Sequence, residues 1–233
     1  MTLVAAVGLI REARLIAAPG VRVVVGGGRS ERLEARLRAA LARAQGVISI
    51  GIAGALAPDL RVGDVVIGGA VFSVDEPRQT DPAWSERLAA ALPHGRVAPI
   101  WGAEAMVLDA REKARLHASG AVAVDMESHV VARLASERAL PFAVLRVISD
   151  TAQTDLPPAV LAGMRPDGAM NLVGVLGALA RRPQQLPALI AVGHDVDRAF
   201  KALARAVAIA GPDGFSSRSF PASPAPLPSD PAS

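Results

Sequence analysis

Val47-Ile48-Ser49-Ile50-Gly51-Ile52-Ala53-Gly54-Ala55-Leu56 sets a β-branched run of strand length directly before two glycines spaced three residues apart. Branched side chains suit a pleated surface, and an apolar run without polar alternation fits a parallel strand covered on both faces. Gly51 and Gly54 leave the main chain open at the carboxyl end of that strand, so the pair is expected to let a ligand approach the backbone closely. Runs of the same kind recur outward in both directions, at Leu3–Val7, Val21–Val25, Val65–Ile67, Val97–Trp101, Ala121–Val124 and Phe142–Ile148. Helical periodicity marks Ser30–Ala44, Ala83–Ala91, Ala110–Ser119 and Glu127–Arg138 between several of them, with Leu33, Leu37 and Leu41 on the buried face of the first. Strands alternating with helices predict a single-domain, three-layer α/β fold with a mainly parallel, mixed central sheet.

Two further helical patterns, Met170–Arg181 and Leu186–Ala210, are separated by Arg182-Pro183-Gln184, where proline breaks the helix. The 233 residues suffice for one sizeable core, assigned to residues 1–210. Residues 211–233 are rich in proline and serine and too poor in apolar side chains to repay their ordering entropy, so they read as a disordered tail.

Composition narrows the chemistry. There is no cysteine, which excludes disulfides, thiolate metal sites and a cysteine nucleophile. The sequence pI near 10.4 reflects arginine with no tyrosine or cysteine to buffer it, because the formal charge is only +3. Basic residues alternate with acids, as in Ser30-Glu31-Arg32-Leu33-Glu34, which describes a solvated helix face and not a nucleic-acid surface. No apolar run reaches membrane-spanning length, and the first residues lack the basic start of a secretory signal, so a cytoplasmic location is expected. His94, His117, His129 and His194 show no metal-ligand spacing, and no Gly-x-Ser-x-Gly elbow is present, so no metal and no serine triad are expected. Gly26-Gly27-Gly28-Arg29-Ser30 follows a strand like a phosphate loop, but Glu31 replaces the third fingerprint glycine, which argues against a nicotinamide dehydrogenase.

Ligands of open α/β sheets bind beyond the carboxyl ends of strands. Four such ends carry notable groups: Gly8 to Glu12, Gly51 to Leu56, Asp125-Met126-Glu127-Ser128, and Ser149-Asp150-Thr151. Three of them deliver a carboxylate. Taken singly, Glu12 and Glu127 fit ordinary helix starts, and Asp150 fits a turn or cap; their shared edge is what favours a carboxylate-run reaction.

In order and spacing, Gly51 to Leu56, Val62-Gly63-Asp64-Val65-Val66, Val124-Asp125-Met126-Glu127-Ser128 and Arg146-Val147-Ile148-Ser149-Asp150 resemble the purine nucleoside phosphorylase and methylthioadenosine nucleosidase superfamily over residues 3–180. Leu156-Pro157-Pro158-Ala159, Gly163 to Gly168 and Ala180 to Leu189 are similar to its hopanoid-biosynthesis-associated phosphorylase branch, which implies adenine release from adenosylhopane. The resemblance implies a nucleoside phosphorylase-like fold and cleavage of an N-glycosidic bond. Such cleavage builds positive charge on the ribose and negative charge on the purine, so it needs an acid at the base and anionic oxygens at the sugar. By resemblance, Asp150 is the acid at purine N7, its pKa raised by burial, and Glu127 binds the ribose hydroxyls with Met126 against the sugar. Met106 and Val107 match the base-stacking segment.

The nucleophile stays open between water and inorganic phosphate, the one co-substrate considered beside an otherwise cofactor-free site. Glu12 aligns with the nucleosidases' water-activating glutamate, whereas Ile48-Ser49-Ile50 and Ile52 stand where phosphorylases supply arginine and serine. Gly8, Gly51, Arg29 and Ser30 make up the candidate nucleophile or phosphate region, with Arg11 as a further cation. The resemblance implies a homo-oligomer, with a dimer favoured, and a hopanoid nucleoside implies an apolar pocket mouth with peripheral contact at the inner membrane. Phe72 and Leu156 to Leu161 are candidate apolar contacts. The alternatives are a methylthioadenosine or adenosylhomocysteine nucleosidase, and a non-catalytic nucleoside-binding module.

Overall fold

The first strand, β1 (Thr2–Val7), shows how the layers arise: Val4 and Ala6 face one helical layer, and Leu3, Ala5 and Val7 face the other. This two-residue period, repeated in the neighbouring strands, builds two apolar faces from one sheet. A computed structural model describes residues 2–163, 168, 169 and 171–214; of the tail expected over 211–233, residues 211–214 fall at the end of the last helix and 215–233 lie outside the described residues, as do 164–167 and 170.

In chain order the elements are β1, α1 (Ile10–Ile16), β2 (Val21–Val25), α2 (Ser30–Ala40), β3 (Ala44–Ala55), β4 (Val65–Phe72), β5 (Arg78–Gln79), α3 (Pro82–Ala91), β6 (Arg96–Gly102), α4 (Ala110–His117), β7 (Ala123–Asp125), α5 (Ser128–Ser136), β8 (Phe142–Asp150), α6 (Leu172–Arg181) and α7 (Leu186–Gly214). Leu33 and Leu37 of α2 pack with Val130, Val131 and Leu134 of α5 on one face. Ile16 of α1, Trp84 and Leu88 of α3, and Phe200 and Leu203 of α7 cover the other. The three-layer expectation therefore holds.

Several helix starts follow their sequence. Asp81 accepts a hydrogen bond from the Trp84 N–H at 2.7 Å with Pro82 at the first helical position, and Asp109 caps α4 through the Arg111 N–H at 2.7 Å. Pro183 opens a 3-10 turn between α6 and α7, as the proline break predicted. Gly211, at φ 59° and ψ −171°, leaves the helical conformation inside α7, at the residue where the sequence pattern of the core ends.

The sheet runs β2-β1-β3 and then curls. β8 pairs parallel with β3 and antiparallel with β4; β4 pairs with β6, β6 with β7, and β7 returns antiparallel to the end of β3 through Gly54 and Val124. That closure sets β7 beside the carboxyl ends of β3 and β8, where Gly54 pairs with both Val124 and Asp150. Gly51 and Gly54 do not form a turn beyond a strand. Strand β3 continues through both, bonded to β8 up to Gly54–Asp150, because the glycines are flanked by Ile50, Ile52 and Ala53, which sustain the extended ladder. The helix expected to reach Ala44 stops at Ala40, and a 3-10 turn, Leu41–Arg43, delivers the chain into β3.

Candidate active site

Glu12 occupies the third position of α1, a common place for glutamate at a helix start, yet it is buried and turned back under the end of β1. Its Oε2 accepts hydrogen bonds from the Gly8 N–H at 2.9 Å and the Leu9 N–H at 2.8 Å, and its Oε1 accepts one from the Ile52 N–H at 2.9 Å. Burial raises its pKa, opposed in part by those N–H groups and by Arg146. The carboxylate fits because Gly51 has no side chain: a Cβ there would stand 2.4 Å from Glu12 Oε1.

Two more glycines play the same part. A Cβ on Gly8 would lie 2.6 Å from Glu127 Oε1, and one on Gly54 would lie 3.0 Å from Asp150 Oδ2. Each of the three candidate carboxylates thus rests against a glycine of β3 or of the turn after β1.

Glu127 stands at the residue before α5 without capping it, and the closure of β7 onto β3 carries it to the end of β1 beside Gly8. Its pKa is pushed up to about 8, first by burial and next by the Asp125 charge, with Arg146 acting in the opposite direction. Arg146, fully buried in β8, pairs through Nε and Nη2 with Asp125 Oδ2, donates to Ser49 Oγ at 2.6 Å, and lies 3.9 Å from Glu127 Oε2. Asp125 Oδ1 in turn accepts from the Ser128 hydroxyl at 2.6 Å and its N–H at 3.1 Å. One guanidinium therefore serves Asp125, Glu127 and, through space, Glu12. A set of three carboxylates against one cation retains protons when water is excluded.

Asp150 ends β8, buried beside Gly54. Asp150 is buried at the strand end as expected, and the fold adds a partner: the Lys113 ammonium, fully buried on α4, donates to Asp150 Oδ2 at 2.6 Å. Ser149 Oγ donates to Asp150 Oδ1 at 2.9 Å.

Gly27, Gly28, Arg29, Glu104, Met106, Met126 and Leu161 bound a cavity of about 250 Å³. Met126 and Met106 thus line one cavity together. Val107 lines a neighbouring, larger cavity of about 480 Å³ with Trp101, Met106 and Leu116. Gly27 and Gly28 have φ of 71° and 67°, which only glycine adopts without strain, and Arg29 is exposed beside them. Ser30 Oγ lies 3.3 Å from His129 Nε2, which also meets Glu104 Oε1 at 3.1 Å. His129 is buried at the rim of the site. Arg11 does not point at the carboxylates; it pairs with Asp197 at 2.7 Å and covers the Phe200 ring at 4.1 Å, so α7 removes it as a phosphate ligand. Phe72 packs with Trp101 and Val107, and Leu156 is buried, which makes both core residues. The carbonyl of Gly168 accepts from the Ile10 N–H at 3.2 Å and so docks the segment after β8 over the end of β1.

Sequence reasoning singled out Glu12, Glu127 and Asp150, which the fold buries against glycines of β3 and the turn after β1, but not their cations. Arg146 was visible as a lone charge inside the apolar run Phe142–Ile148, and Lys113 only as one of several charges on an amphipathic helix. Among the described residues no group of three or more His, Asp or Glu side chains is arranged to hold a metal ion, and no helix is long and apolar enough to cross a membrane.

Residues 5–169 match the sequence profile of the phosphorylase superfamily. No curated protein sequence matches the chain. Among solved structures, the chain resembles the 5′-methylthioadenosine/S-adenosylhomocysteine nucleosidase of Neisseria meningitidis, solved with methylthio-immucillin-A, at 19% identity and a TM-score of 0.66 over 90% of this chain and 98% of that one. The Streptococcus pneumoniae MTA/SAH nucleosidase, in complex with 8-aminoadenine, aligns at 22% identity and a TM-score of 0.57, covering 66% and 87% of the two chains. A futalosine hydrolase mutant of Helicobacter pylori aligns at 16% identity and a TM-score of 0.58, covering 66% and 90%. At these identities the likenesses concern the fold.

Proposed function

Because the chain belongs to the phosphorylase superfamily, we propose that it cleaves the N-glycosidic bond of a purine nucleoside and releases adenine. The observation that carries this reading is the placement of three buried carboxylates around the end of β3, with Glu12 and Glu127 near Gly8 and Asp150 across Gly54. In this reading the ribose lies over Met126 with its hydroxyls on Glu127, and the purine reaches Asp150. As the C1′–N9 bond breaks, its electron pair passes to the purine, Asp150 gives a proton to N7, and the nucleophile bonds to C1′.

The disposition of Glu12 supports water as that nucleophile. Three backbone N–H groups that an anion would need are occupied by its carboxylate, and burial raises its pKa, which makes it a stronger base toward water than an exposed carboxylate. Phosphorolysis is the second reading, favoured by Arg29 and Ser30 at the mouth of α2 behind the positive-φ Gly27 and Gly28.

For the substrate we favour adenosylhopane, on the resemblance of Leu156 to Gly168 and Ala180 to Leu189 to the hopanoid branch. Leu161, 53% exposed on the wall of the smaller cavity, supports an apolar mouth for a 5′ hydrocarbon, reached from the cytoplasm at the inner-membrane surface by a homodimer. The solved relatives named for methylthioadenosine and adenosylhomocysteine make small 5′-thio nucleosides the competing substrates. The test is mass-spectrometric detection of adenine and the sugar product from adenosylhopane and from methylthioadenosine, each with and without phosphate. Adenine from adenosylhopane without phosphate is the expected result. Release only with phosphate would replace the hydrolytic reading, release only from methylthioadenosine would replace the substrate, and tight adenine binding without any turnover would make the protein a binding module.

A further inference from the structure

Beside Asp150 the fold buries a cation that the carboxylate motif does not contain. On α4, Arg111 and Arg115 are exposed, while Lys113 and Leu116, three residues apart, form the buried face. A leucine would suit that face; a lysine there is costly unless its charge is fully partnered. Lys113 is fully buried, and its Nζ has three acceptors: Asp150 Oδ2 at 2.6 Å, the Thr151 carbonyl at 3.0 Å and the Thr154 carbonyl at 2.9 Å. Three acceptors match the three hydrogens of an ammonium, whereas a neutral amine would turn a lone pair toward one of them. The surrounding loop is fixed to the same helix, since the Ala110 N–H donates to Asp155 Oδ1 at 2.8 Å and the Leu156 N–H to the Leu108 carbonyl at 2.9 Å.

We propose that Lys113 is a positioning residue for base departure: it holds Asp150 by Oδ2 so that Oδ1 faces the purine, and it stabilises the carboxylate that remains once the proton has moved to N7. The inference rests on the nucleoside-cleavage reading. Asp150 Oδ1 takes a proton from solvent before the site closes on the purine, the Ser149 hydroxyl then donating to the Ala53 carbonyl 3.1 Å away, and this proton passes to N7 as the C1′–N9 electron pair enters the purine. The Asp150 anion left behind is then paired with the ammonium, and solvent restores the proton after adenine leaves. Lys113 touches no reacting atom; it acts through Asp150.

The test compares the wild-type chain, Lys113→Met, Lys113→Gln and Lys113→Arg on an adenine nucleoside and on its 7-methyl derivative, whose base leaves already carrying the charge that N7 protonation would supply. A role in acid catalysis predicts a kcat loss of at least ~100-fold for Lys113→Met on the parent nucleoside, with recovery of most of it in Lys113→Arg. On the 7-methyl nucleoside, and in an Asp150→Asn background, the same substitution should change the rate by no more than about twofold, because the residues act as one unit. Equal losses on both nucleosides, or a further large loss on top of Asp150→Asn, would overturn the proposal and leave Lys113 a fold residue. If Lys113→Met does not fold, as a thermal melt would show, Lys113→Gln keeps hydrogen-bond donors without the charge and is read on the same two substrates. A wild-type chain that cleaves neither nucleoside overturns the nucleoside-cleavage reading and this role with it.

Discussion

Gly51 and Glu12 share one space: the hydrogen of the glycine faces the Glu12 carboxylate where any Cβ would stand 2.4 Å from Oε1. Glu12 is anchored by the Gly8, Leu9 and Ile52 N–H groups, so it has no second place to go without losing buried hydrogen bonds. The glycine in the middle of β3 is thus explained by a carboxylate and not by a turn.

Gly51→Ala should therefore displace Glu12 by more than an ångström and cut kcat by roughly 100-fold, the scale of a misplaced catalytic group. Gly54→Ala meets Asp150 Oδ2 at 3.0 Å, a contact that a small rotation relieves, so its loss should be several times smaller. Steady-state kinetics on the two variants, with circular dichroism to confirm the fold, compares them; equal losses would sever the link between Gly51 and Glu12.

Glu127 ties stability to pH. Its pKa of about 8 in the folded chain stands above the ordinary 4.5, so the folded state binds the extra proton between those values. Stability from this group is fully present below about pH 4.5 and is lost as pH rises through 8. Melting temperatures at pH 5 and pH 8.5 should fall in that order for wild type, and the drop should shrink in Glu127→Gln. If Glu127 binds the ribose as proposed, sugar binding runs the other way, because an ionised carboxylate can accept from both ribose hydroxyls: kcat/KM should climb toward pH 8 and lose that limb in Glu127→Gln. A wild-type melting temperature that rises over the same interval would contradict the burial of a protonated Glu127.

Arg146 is the cation on which the cluster depends. Replacing it with methionine leaves Asp125 and Glu127 without a cation in a dry site and should destabilise the fold by about 3–5 kcal/mol, read from urea unfolding. Lysine in its place keeps the charge but cannot reach Asp125 and Ser49 together as the guanidinium does, so Arg146→Lys should fold near wild type and still lose activity. Full activity in Arg146→Lys would show that only charge matters there.

The strands and their order of use were legible because β1, β3 and β8 are nearly continuous apolar runs, and Glu12, Glu127 and Asp150 each follow or end such a run. The closure of β7 onto β3 was not legible, since Ala123–Asp125 is too short for periodicity to show and its pairing with Gly54 and Ala55 is long-range. Partners escaped for the same reason. Lys113 lies 37 residues before Asp150, and its helix reads as a solvated surface because two of its three neighbouring charges are indeed exposed. Arg11 misled in the opposite direction: adjacent to Glu12 in sequence, it is drawn outward by Asp197 on α7, a contact between residues far apart in the chain.

The last prediction separates the two nucleophiles within one residue. If Glu12 takes the proton of an attacking water, Glu12→Gln preserves the hydrogen bonds from Gly8, Leu9 and Ile52 in part and removes the base, so hydrolysis should fall by roughly 100-fold to 10,000-fold. Phosphate carries its own negative charge and needs no base, and a neutral side chain at position 12 would remove the carboxylate that repels it. Added phosphate should therefore leave the wild-type rate unchanged and raise the rate of Glu12→Gln, with ribose 1-phosphate derivative detected by mass spectrometry in the variant alone. Phosphate acceleration of the wild-type chain, with Glu12→Gln no faster, would instead place the nucleophile at Arg29 and Ser30 and reduce Glu12 to a brace for the end of β1.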